Sequence, residues 1–187
     1  MSPRDTRDPE SDEACMLAWQ SGEAAGFERL YERHRGGVFR YFLRHCRDRG
    51  RAEELHQDVW LKIIGARDGW QPSARFTTWL YTVARNRLID FWRATAPARL
   101  EGFDDEAHAA GETADPASAA ASAQQGARIV AALGTLPGVQ RDAFLLHMEG
   151  GLPLAEIATL TGAPVETVKS RLRYAYARLR TVLGDLR

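Results

Sequence analysis

The chain has 187 residues, a formal net charge of zero and an apolar content that is ordinary for a globular protein. Its length allows one domain or two small ones. No window is long and apolar enough to span a bilayer, and the N-terminus lacks the basic and apolar regions of a secretory signal, so we expect a cytoplasmic protein without membrane insertion.

The charges are unevenly distributed along the chain. Residues 28–51 carry a net charge of +5 and residues 165–187 carry +4, whereas residues 94–127 carry −5. Basic segments that alternate with acidic ones favour a protein that contacts nucleic acid through particular faces.

The first segments in chain order predict a tail and two helices. Residues 1–10 are charged and contain two prolines, which predicts a disordered tail. Ser11 is suited to cap a short helix. A long helix is predicted from residue 23 to residue 46, although Gly36 and Gly37 in its middle each cost on the order of 1 kcal/mol relative to alanine. Either this helix bends there or tertiary packing overrides the cost.

A further helix is predicted from Arg51 to Ile64. Its inner stripe consists of the apolar residues Ala52, Leu55, Val59 and Ile63. The remaining face carries the polar residues Glu53, Glu54, Gln57, Asp58 and Lys62. Periodicity alone leaves open whether this face is simply solvated or docks on a basic partner helix.

Residues 65–75 predict a loop, and residues 76–93 predict a helix with Thr77 as its N-cap. Trp70 is unusual in so polar a loop, and folding back on the core would account for it. One helical stripe is apolar and consists of Phe76, Trp79, Leu80, Val83, Leu88 and Phe91. The other side carries Thr82, Arg85, Asn86, Asp90 and Arg93. Arginine and asparagine contact base edges, but by itself this pattern also fits an ordinary amphipathic helix.

Residues 95–127 are rich in alanine, glycine, proline and serine and lack apolar periodicity. They predict a flexible acidic linker between two helical domains, at 11–94 and 128–187. The predicted fold is therefore all-α, with a second domain of four helices. Within that domain Pro137 begins a helix that ends before Gly150.

Residues 152–180, LPLAEIATLTGAPVETVKSRLRYAYARLR, predict two helices that meet across a tight turn at Gly162. Pro153 and Pro164 suit the first positions of these helices. The second helix has an apolar stripe formed by Val168, Leu172, Ala175 and Leu179. Its remaining face carries Thr167, Lys169, Ser170, Arg171 and Arg173, which are residue types that bond phosphates and base edges. The pattern predicts a helix-turn-helix that enters a DNA major groove, and the alternative is a packed helical hairpin with a solvated basic face.

Two separated blocks together resemble the extracytoplasmic-function sigma factors of the sigma-70 family. The first is AEELHQDVWLKI followed by FTTWLYTVARNRLIDFWR, and the second is LPGVQRDAFLLHMEGGLPLAEIATLTGAPVETVKSRLRYAYARLR. The resemblance covers nearly everything except the tail and the linker. It implies a sigma region 2 in residues 11–94, which binds core RNA polymerase and the −10 element, and a sigma region 4 in residues 128–187, which binds the −35 element as duplex.

The resemblance also implies partners and roles for individual residues. The 51–64 helix would dock on the clamp helices of the largest polymerase subunit through Glu54, Gln57 and Asp58. The 65–75 loop would capture the melting −10 element together with Arg85, Asn86 and Asp90. The −35 contacts would come from Thr167, Lys169, Ser170, Arg171 and Arg173. Further expected partners are the polymerase flap and an anti-sigma factor, and the acidic linker would run near the RNA path.

The sequence departs from the family pattern at two places. The tryptophan pair that wedges DNA open in housekeeping relatives aligns with Thr82 and Val83, so we expect melting to depend more on capture of an unpaired base in the loop. The usual polar cap before the first helix of the helix-turn-helix is replaced by Leu152 and Pro153, a loss worth about 1 kcal/mol of helix stability.

The sequence also bears on two other classes of function. A stand-alone helix-turn-helix regulator would use the N-terminal helices for dimerisation or ligand sensing and would bind palindromic sites unaided. An enzyme is disfavoured because the chain has no glycine-rich phosphate loop, nucleophile elbow or HExxH motif. Neither the two cysteines, Cys15 and Cys46, nor the histidines have the spacing of a metal site, so no cofactor or metal is expected. These histidines are His34, His45, His56, His108 and His147.

Overall fold

The computed structural model describes residues 10–95 and 120–184. Within these ranges the chain is helical and contains no strand, which confirms the all-α prediction for them. The elements are α1 (Asp12–Gln20), α2 (Ala24–Cys46), α3 (Arg49–Gly65), a 3₁₀ turn (Arg67–Gly69), α4 (Phe76–Thr95), α5 (Ala120–Gly134), α6 (Gly138–Met148), α7 (Leu154–Thr161) and α8 (Val165–Gly184). None of these described helices combines the length and the apolar character that crossing a membrane requires. The expected tail and most of the expected linker lie outside the described residues.

Helices α1 to α4 form the first domain. Each helix packs on the next one in sequence, and α1 also contacts α4. Ser11 caps α1 as predicted, because its Oγ accepts a hydrogen bond from the N–H of Ala14 at 3.1 Å. The centre of the domain is a layer of fully buried apolar side chains from all four helices, including Met16, Leu30, Phe42, Leu55, Ile63, Leu80 and Leu88.

The start of α4 differs from the prediction. Thr77 lies inside the helix with its hydroxyl buried and without a hydrogen-bond partner, so its assignment as the N-cap was wrong. The N–H of Phe76 instead donates to Glu13 Oε1 at 2.8 Å. A carboxylate from α1 therefore satisfies one of the free N–H groups at the start of α4, which is a contact between elements that local sequence does not reveal.

Helix α2 continues through the glycine pair. Tertiary packing explains Gly37, because a Cβ at this position would lie 2.9 Å from Tyr81 Oη and 3.0 Å from the carbonyl oxygen of Glu149. Gly36 has no comparable constraint, since a Cβ there would meet only the end of the Arg40 side chain at 3.1 Å. Close approach of other elements therefore accounts for the glycine at 37.

We expect Gly26→Ala to lower the free energy of unfolding by about 1–3 kcal/mol, the usual range for overpacking a core. A Cβ at Gly26 would overlap the carbonyl oxygen of Cys15 and lie 2.8 Å from the backbone nitrogen of Trp19, where α1 crosses α2. Urea unfolding followed by circular dichroism measures the change. Gly36→Ala is the matched control in the same helix and should be neutral or stabilising by up to about 1 kcal/mol. Equal stability of the two variants would contradict this account.

Helices α5 to α8 form the second domain, in which α5, α6 and α7 all pack against α8. Helix α5 begins at Ala120, whereas the sequence placed the start of this domain near Arg128. Half of the additional residues, 120–127, are alanine, which has the highest helix propensity but contributes no apolar periodicity. The buried side chains of the domain include Leu133, Leu136, Leu145, Leu146, Ile157 and Val168.

Candidate nucleic-acid interface

The turn between α7 and α8 has the geometry of a helix-turn-helix. Helix α7 ends at Gly162, which has a left-handed backbone conformation with φ of 68°. The N–H of Ala163 then donates to the carbonyl oxygen of Ala158 at 3.1 Å, which closes the end of the helix. A side chain at 162 would be strained in this conformation, so glycine permits the sharp reversal that brings α8 across α7.

Helix α8 has one buried and one accessible face, as predicted. Its buried residues are Val168, Leu172, Ala175 and Leu179. The residues assigned to DNA contact are exposed or half-buried, and they are Thr167, Lys169, Ser170, Arg171 and Arg173. Lys169 and Arg173 are the exposed cationic residues of this set, and both contact other residues of α8. Lys169 Nζ lies 3.6 Å from Glu166, and the Arg173 guanidinium lies 5.0 Å from the centre of the Tyr174 ring. The surface is thus polar, basic and free to meet an anionic partner.

The second candidate surface lies on α4 in the first domain. Asn86 and Asp90 are exposed there, as expected. Arg85 differs, because its side chain is only 15% exposed and its Nε donates to Asp142 of the second domain at 2.7 Å. The structure therefore brings Asn86 and Asp90 to one accessible face but places Arg85 in a contact between the domains.

The 65–75 loop is held against the first domain. Trp70 is buried, which agrees with folding back on the core, and its ring centre lies 6.4 Å from that of Trp79. The side-chain amide of Gln20 donates to the carbonyl oxygens of Arg67 at 2.6 Å and of Trp70 at 2.9 Å. Contacts from α1 and α4 therefore fix the backbone of this loop, which leaves Asp68 and Gly69 at its exposed tip.

A third surface is the outer face of α3. Glu54 and Gln57 are exposed, and Asp58 is half-buried because it pairs with Arg87 of α4 at 2.6 Å. The apolar stripe predicted for this helix did not include Leu61 or Ile64, and both side chains are exposed, Leu61 by 66%. Residues 54, 57, 58 and 61 lie on one side of a helix by their spacing. The face therefore combines two acidic groups and an amide with an exposed apolar residue.

Asp142 of α6 is a buried carboxylate surrounded by polar side chains of the first domain. It is 1% exposed and lies 2.9 Å from Tyr41 Oη, 2.7 Å from Arg85 Nε and 3.6 Å from His45 Nε2. Burial on its own raises the pKa of Asp142, but His45 and Arg85 together lower this pKa below its ordinary value. Burial also lowers the pKa of His45 and raises that of Tyr41. The carboxylate is thus ionised and held by first-domain donors.

The cysteines and histidines are not arranged as a metal centre in the described part of the chain. Cys15 is buried and Cys46 half-buried, and neither is in a disulfide. Burial raises the pKa of the Cys46 thiol to about 12, which makes it a poor nucleophile and a poor metal ligand at neutral pH. Among residues 10–95 and 120–184, no group of three or more His, Cys, Asp or Glu side chains is placed to hold a metal ion. His108 lies outside the described residues.

Two family models match the chain, in the order in which the two domains occur. The model described as Sigma-70 region 2 matches residues 30–97, and the model described as Sigma-70, region 4 matches residues 126–179. The chain belongs to the sigma-70 family. The first match covers most of α2 and all of α3 and α4, and the second includes α6, α7 and most of α8. Both candidate DNA surfaces of this sigma factor therefore lie inside matched regions, whereas α1 precedes the first match.

Individual relatives support the same classification. RNA polymerase sigma factor CarQ from Myxococcus xanthus is 31% identical, over 91% of this chain and 97% of its own length. The ECF RNA polymerase sigma factor RpoE from Cereibacter sphaeroides is 32% identical, over 84% of this chain and 86% of its own length. The protein is a sigma factor of the extracytoplasmic-function type, and a stand-alone helix-turn-helix regulator is not favoured.

A solved structure shares the fold. The sigma factor RpoE from Bartonella quintana, in complex with the anti-sigma factor NepR, superposes with a TM-score of 0.64 at 22% sequence identity. The match covers 84% of this chain and 96% of that one. At this identity the likeness concerns the fold alone.

Proposed function

We propose that this sigma factor directs core RNA polymerase to promoters by binding the −35 element with α8 and the melted −10 element with α4 and the 65–75 loop. The single observation that carries the proposal is the accessible basic face of α8, opposite its buried stripe, in a helix-turn-helix that lies within the region 4 match. Arginine and lysine donors at the start of such a helix suit phosphates and guanine edges in a major groove.

The −35 contacts are assigned to five residues of α8. They are Thr167, Lys169, Ser170, Arg171 and Arg173. Hydroxyl groups and lysine position the helix on the phosphate backbone, whereas an arginine that reaches a base edge supplies specificity. Binding by one small helix-turn-helix is weak on its own, so the second promoter contact and polymerase are needed for stable occupancy.

The −10 contacts are assigned to Arg85, Asn86 and Asp90, together with the 65–75 loop. The amide of Asn86 and the carboxylate of Asp90 are exposed on α4 and suit hydrogen bonds to the edges of unpaired bases. Thr82 and Val83 occupy the place of the wedging tryptophans, so capture of a flipped base, rather than insertion of a wedge, is the proposed route to melting.

Core polymerase is proposed to bind the outer face of α3 through Glu54, Gln57 and Asp58, with Leu61 as an additional apolar contact. Acidic groups on this face suit basic clamp helices, and the second domain is proposed to contact the flap. Because polymerase acts in the bacterial cytoplasm, the sigma factor is proposed to act there, by binding alone and without an enzymatic reaction or a cofactor. An anti-sigma factor is proposed as a further partner, since the Bartonella quintana relative forms such a complex.

Run-off transcription with purified core polymerase tests the proposal. The template is the DNA upstream of the gene that encodes this chain, and a matched template with a scrambled −35 segment is the control. We expect a discrete transcript only when polymerase, the sigma factor and the intact template are all present. A chain that never joins core polymerase, or that occupies a symmetric operator as a dimer without polymerase, would overturn the proposal.

We expect Asn86→Ala to slow open-complex formation by several-fold, because one base-edge hydrogen-bonding group is worth about 1 kcal/mol or more. Permanganate reactivity of unpaired thymines measures melting, and co-purification with core polymerase measures assembly, which should be unchanged. Glu23→Ala is the control, because Glu23 is exposed and forms no side-chain capping bond to α2. Normal melting by Asn86→Ala would remove this residue from the proposed site.

A further inference from the structure

One side chain of α1 reaches the backbone of the 65–75 loop. Gln20, the last residue of α1, donates from Nε2 to the carbonyl oxygens of Arg67 at 2.6 Å and of Trp70 at 2.9 Å. A carbonyl oxygen can only accept, so the nitrogen of the Gln20 amide, and not its oxygen, has to face the loop. The two N–H groups of this nitrogen therefore each have a backbone partner in the loop.

The hydrogen bonds within the turn of the loop are longer than those from Gln20. The N–H of Gly69 donates to the carbonyl oxygen of Ala66 at 3.2 Å, and the N–H of Trp70 donates to that of Arg67 at 3.4 Å. A typical N–H···O bond measures about 2.9–3.0 Å between the heavy atoms. The amide of Gln20 is therefore a tighter constraint on this turn than the hydrogen bonds of the turn itself.

Helix α1 also supports both ends of the loop with other side chains. At its start, the guanidinium of Arg67 lies 5.8 Å from the centre of the Trp19 ring. At its end, Glu13 Oε1 accepts a hydrogen bond from the N–H of Phe76 at 2.8 Å. Gln20 lies between these contacts in its effect, because its two hydrogen bonds hold the middle of the loop.

Anchoring on the α1 side leaves a backbone donor on the other side of the loop. The C=O and N–H of a trans peptide bond point in opposite directions, and no described peptide bond is cis. Because the carbonyl oxygen of Trp70 is bound to Gln20, the N–H of Gln71 in the same peptide bond points away from Gln20. Gln71 is exposed, and among the described residues its N–H has no hydrogen-bond partner. Such a donor suits the acceptor atoms on the edge of an unpaired base.

We propose that Gln20 is a positioning residue for recognition of the −10 element, because it orders the 65–75 loop before the loop captures an unpaired base. Fixing a backbone costs conformational entropy, and a loop that is ordered in advance does not add this cost to binding. Gln20 acts through the loop and does not itself contact DNA. The inference rests on the proposed function of the loop, and it gives a role to α1, which precedes the region 2 match.

Two substitutions remove the donors of Gln20 with little change in size. Gln20→Met has nearly the same length and is apolar, whereas Gln20→Glu keeps the shape and presents only acceptors at neutral pH. Gln20 is half-buried at the end of a helix, so we expect both variants to fold, which circular dichroism checks. Gln140→Met is the matched control, because Gln140 is a half-buried glutamine in α6 of the second domain.

Amide hydrogen exchange of the free full-length chain measures the order of the loop. For both Gln20 variants we expect the amides of Gly69 and Trp70 to exchange about fivefold faster or more, which corresponds to the loss of one typical hydrogen bond. Exchange in α2 and α8 should stay as in wild type, and Gln140→Met should leave the loop unchanged. Unchanged exchange in the loop, or equal acceleration throughout the first domain, would overturn ordering by Gln20.

Holoenzyme binding to promoter DNA with an unpaired −10 segment measures capture of the base. A series of templates lacks one base of the non-template strand at a time. Gln20→Met should bind the intact template about fivefold more weakly than wild type, and the two should bind equally once the captured base is missing. Affinity for core polymerase and for −35 duplex should not change. An equal affinity on the intact template, or the same difference on every template, would refute the positioning role.

These measurements separate the inference from the proposed function. If wild-type holoenzyme gives no run-off transcript and responds to no missing −10 base, the proposed function fails, and the role of the loop in promoter recognition fails with it. Hydrogen exchange needs neither polymerase nor DNA, so it still decides whether Gln20 orders the loop. If wild type transcribes and Gln20→Met captures the base equally well, only the positioning role is wrong.

Discussion

Leu61→Arg is expected to weaken binding of the sigma factor to core RNA polymerase by roughly thirtyfold. Leu61 is 66% exposed and lies next to the three residues of α3 assigned to this contact. Loss of a central apolar contact, together with a positive charge placed against basic helices, is expected to cost about 2 kcal/mol or more. Competition against a labelled wild-type chain for purified core polymerase gives the affinity directly.

Leu17→Arg is the control for this prediction, because Leu17 is an exposed leucine on α1 of the same domain. Both variants should unfold at the same denaturant concentration as wild type, since neither side chain lies in the core. Equal polymerase affinity of Leu61→Arg and wild type would remove the outer face of α3 from the docking surface.

Asp58→Arg is expected to abolish holoenzyme assembly. Because wild-type Asp58 also pairs with Arg87, the substitution has a second effect, on the contact between α3 and α4. The Asp58 carboxylate lies 2.6 Å from Arg87 Nη2, so the substitution breaks an ion pair between α3 and α4 as well as reversing the charge of the docking face. Arg87→Gln breaks the same ion pair from the other side and leaves Asp58 in place. If polymerase contacts Asp58 directly, only the Asp58 variant loses assembly.

The helix-turn-helix could be predicted from sequence because its signals are local. Val168, Leu172 and Ala175 follow the helical period and are all buried, and Gly162 has the left-handed conformation that the turn requires. Helices α7 and α8 begin at Leu154 and Val165, each one residue after the proline that was predicted to mark its start. A short stretch of chain thus contained most of the information that determines this part of the fold.

The first domain shows why periodicity alone was insufficient. Trp60 falls outside the predicted stripe of α3 but is buried, because its ring meets those of Phe27 and Tyr31 from α2. Leu61 is apolar but exposed. Which side of a helix is covered depends on the size and position of neighbouring elements, and hydrophobicity along one helix does not contain that information.

Arg85 is the proposed site residue whose environment was predicted least well. Its position on the polar side of α4 indicated an exposed side chain. Its partner Asp142 lies 57 residues away in the chain, beyond a segment whose sequence has no apolar periodicity. Asp142 is also on a helix whose sequence gives no sign of an interdomain contact. Pairing of this kind depends on the relative placement of two domains, which no local pattern encodes.

Arg171→Ala is expected to reduce binding of the holoenzyme to −35 duplex DNA by about tenfold to a hundredfold. An arginine with bidentate contacts to a base edge contributes about 1–3 kcal/mol of discrimination. Arg171 lies near the start of α8, where a recognition helix meets the bases, and beside the buried Leu172 that fixes the helix on the domain core. Electrophoretic mobility or anisotropy titration of holoenzyme against promoter duplexes measures the loss.

Arg178→Ala is the charge-matched control for this loss. Position 178 lies about two helical turns further along α8, on nearly the same side of the helix, and is exposed. Both variants lose one positive charge, so a purely non-specific effect of charge would weaken binding equally. A larger loss of DNA affinity for Arg171→Ala than for Arg178→Ala indicates a specific contact between Arg171 and the groove. Equal losses would contradict the assignment.

The salt dependence and sequence preference of Arg171→Ala then identify the type of contact. If Arg171 binds a phosphate, binding weakens uniformly across promoter sequences, and the slope of log affinity against log salt falls by about one. If it binds a base edge, the slope is preserved and discrimination at one −35 position relaxes instead. A variant that keeps both the affinity and the base preference of wild type would place Arg171 outside the DNA contact, and α8 would then have to enter the groove through Lys169 or Arg173.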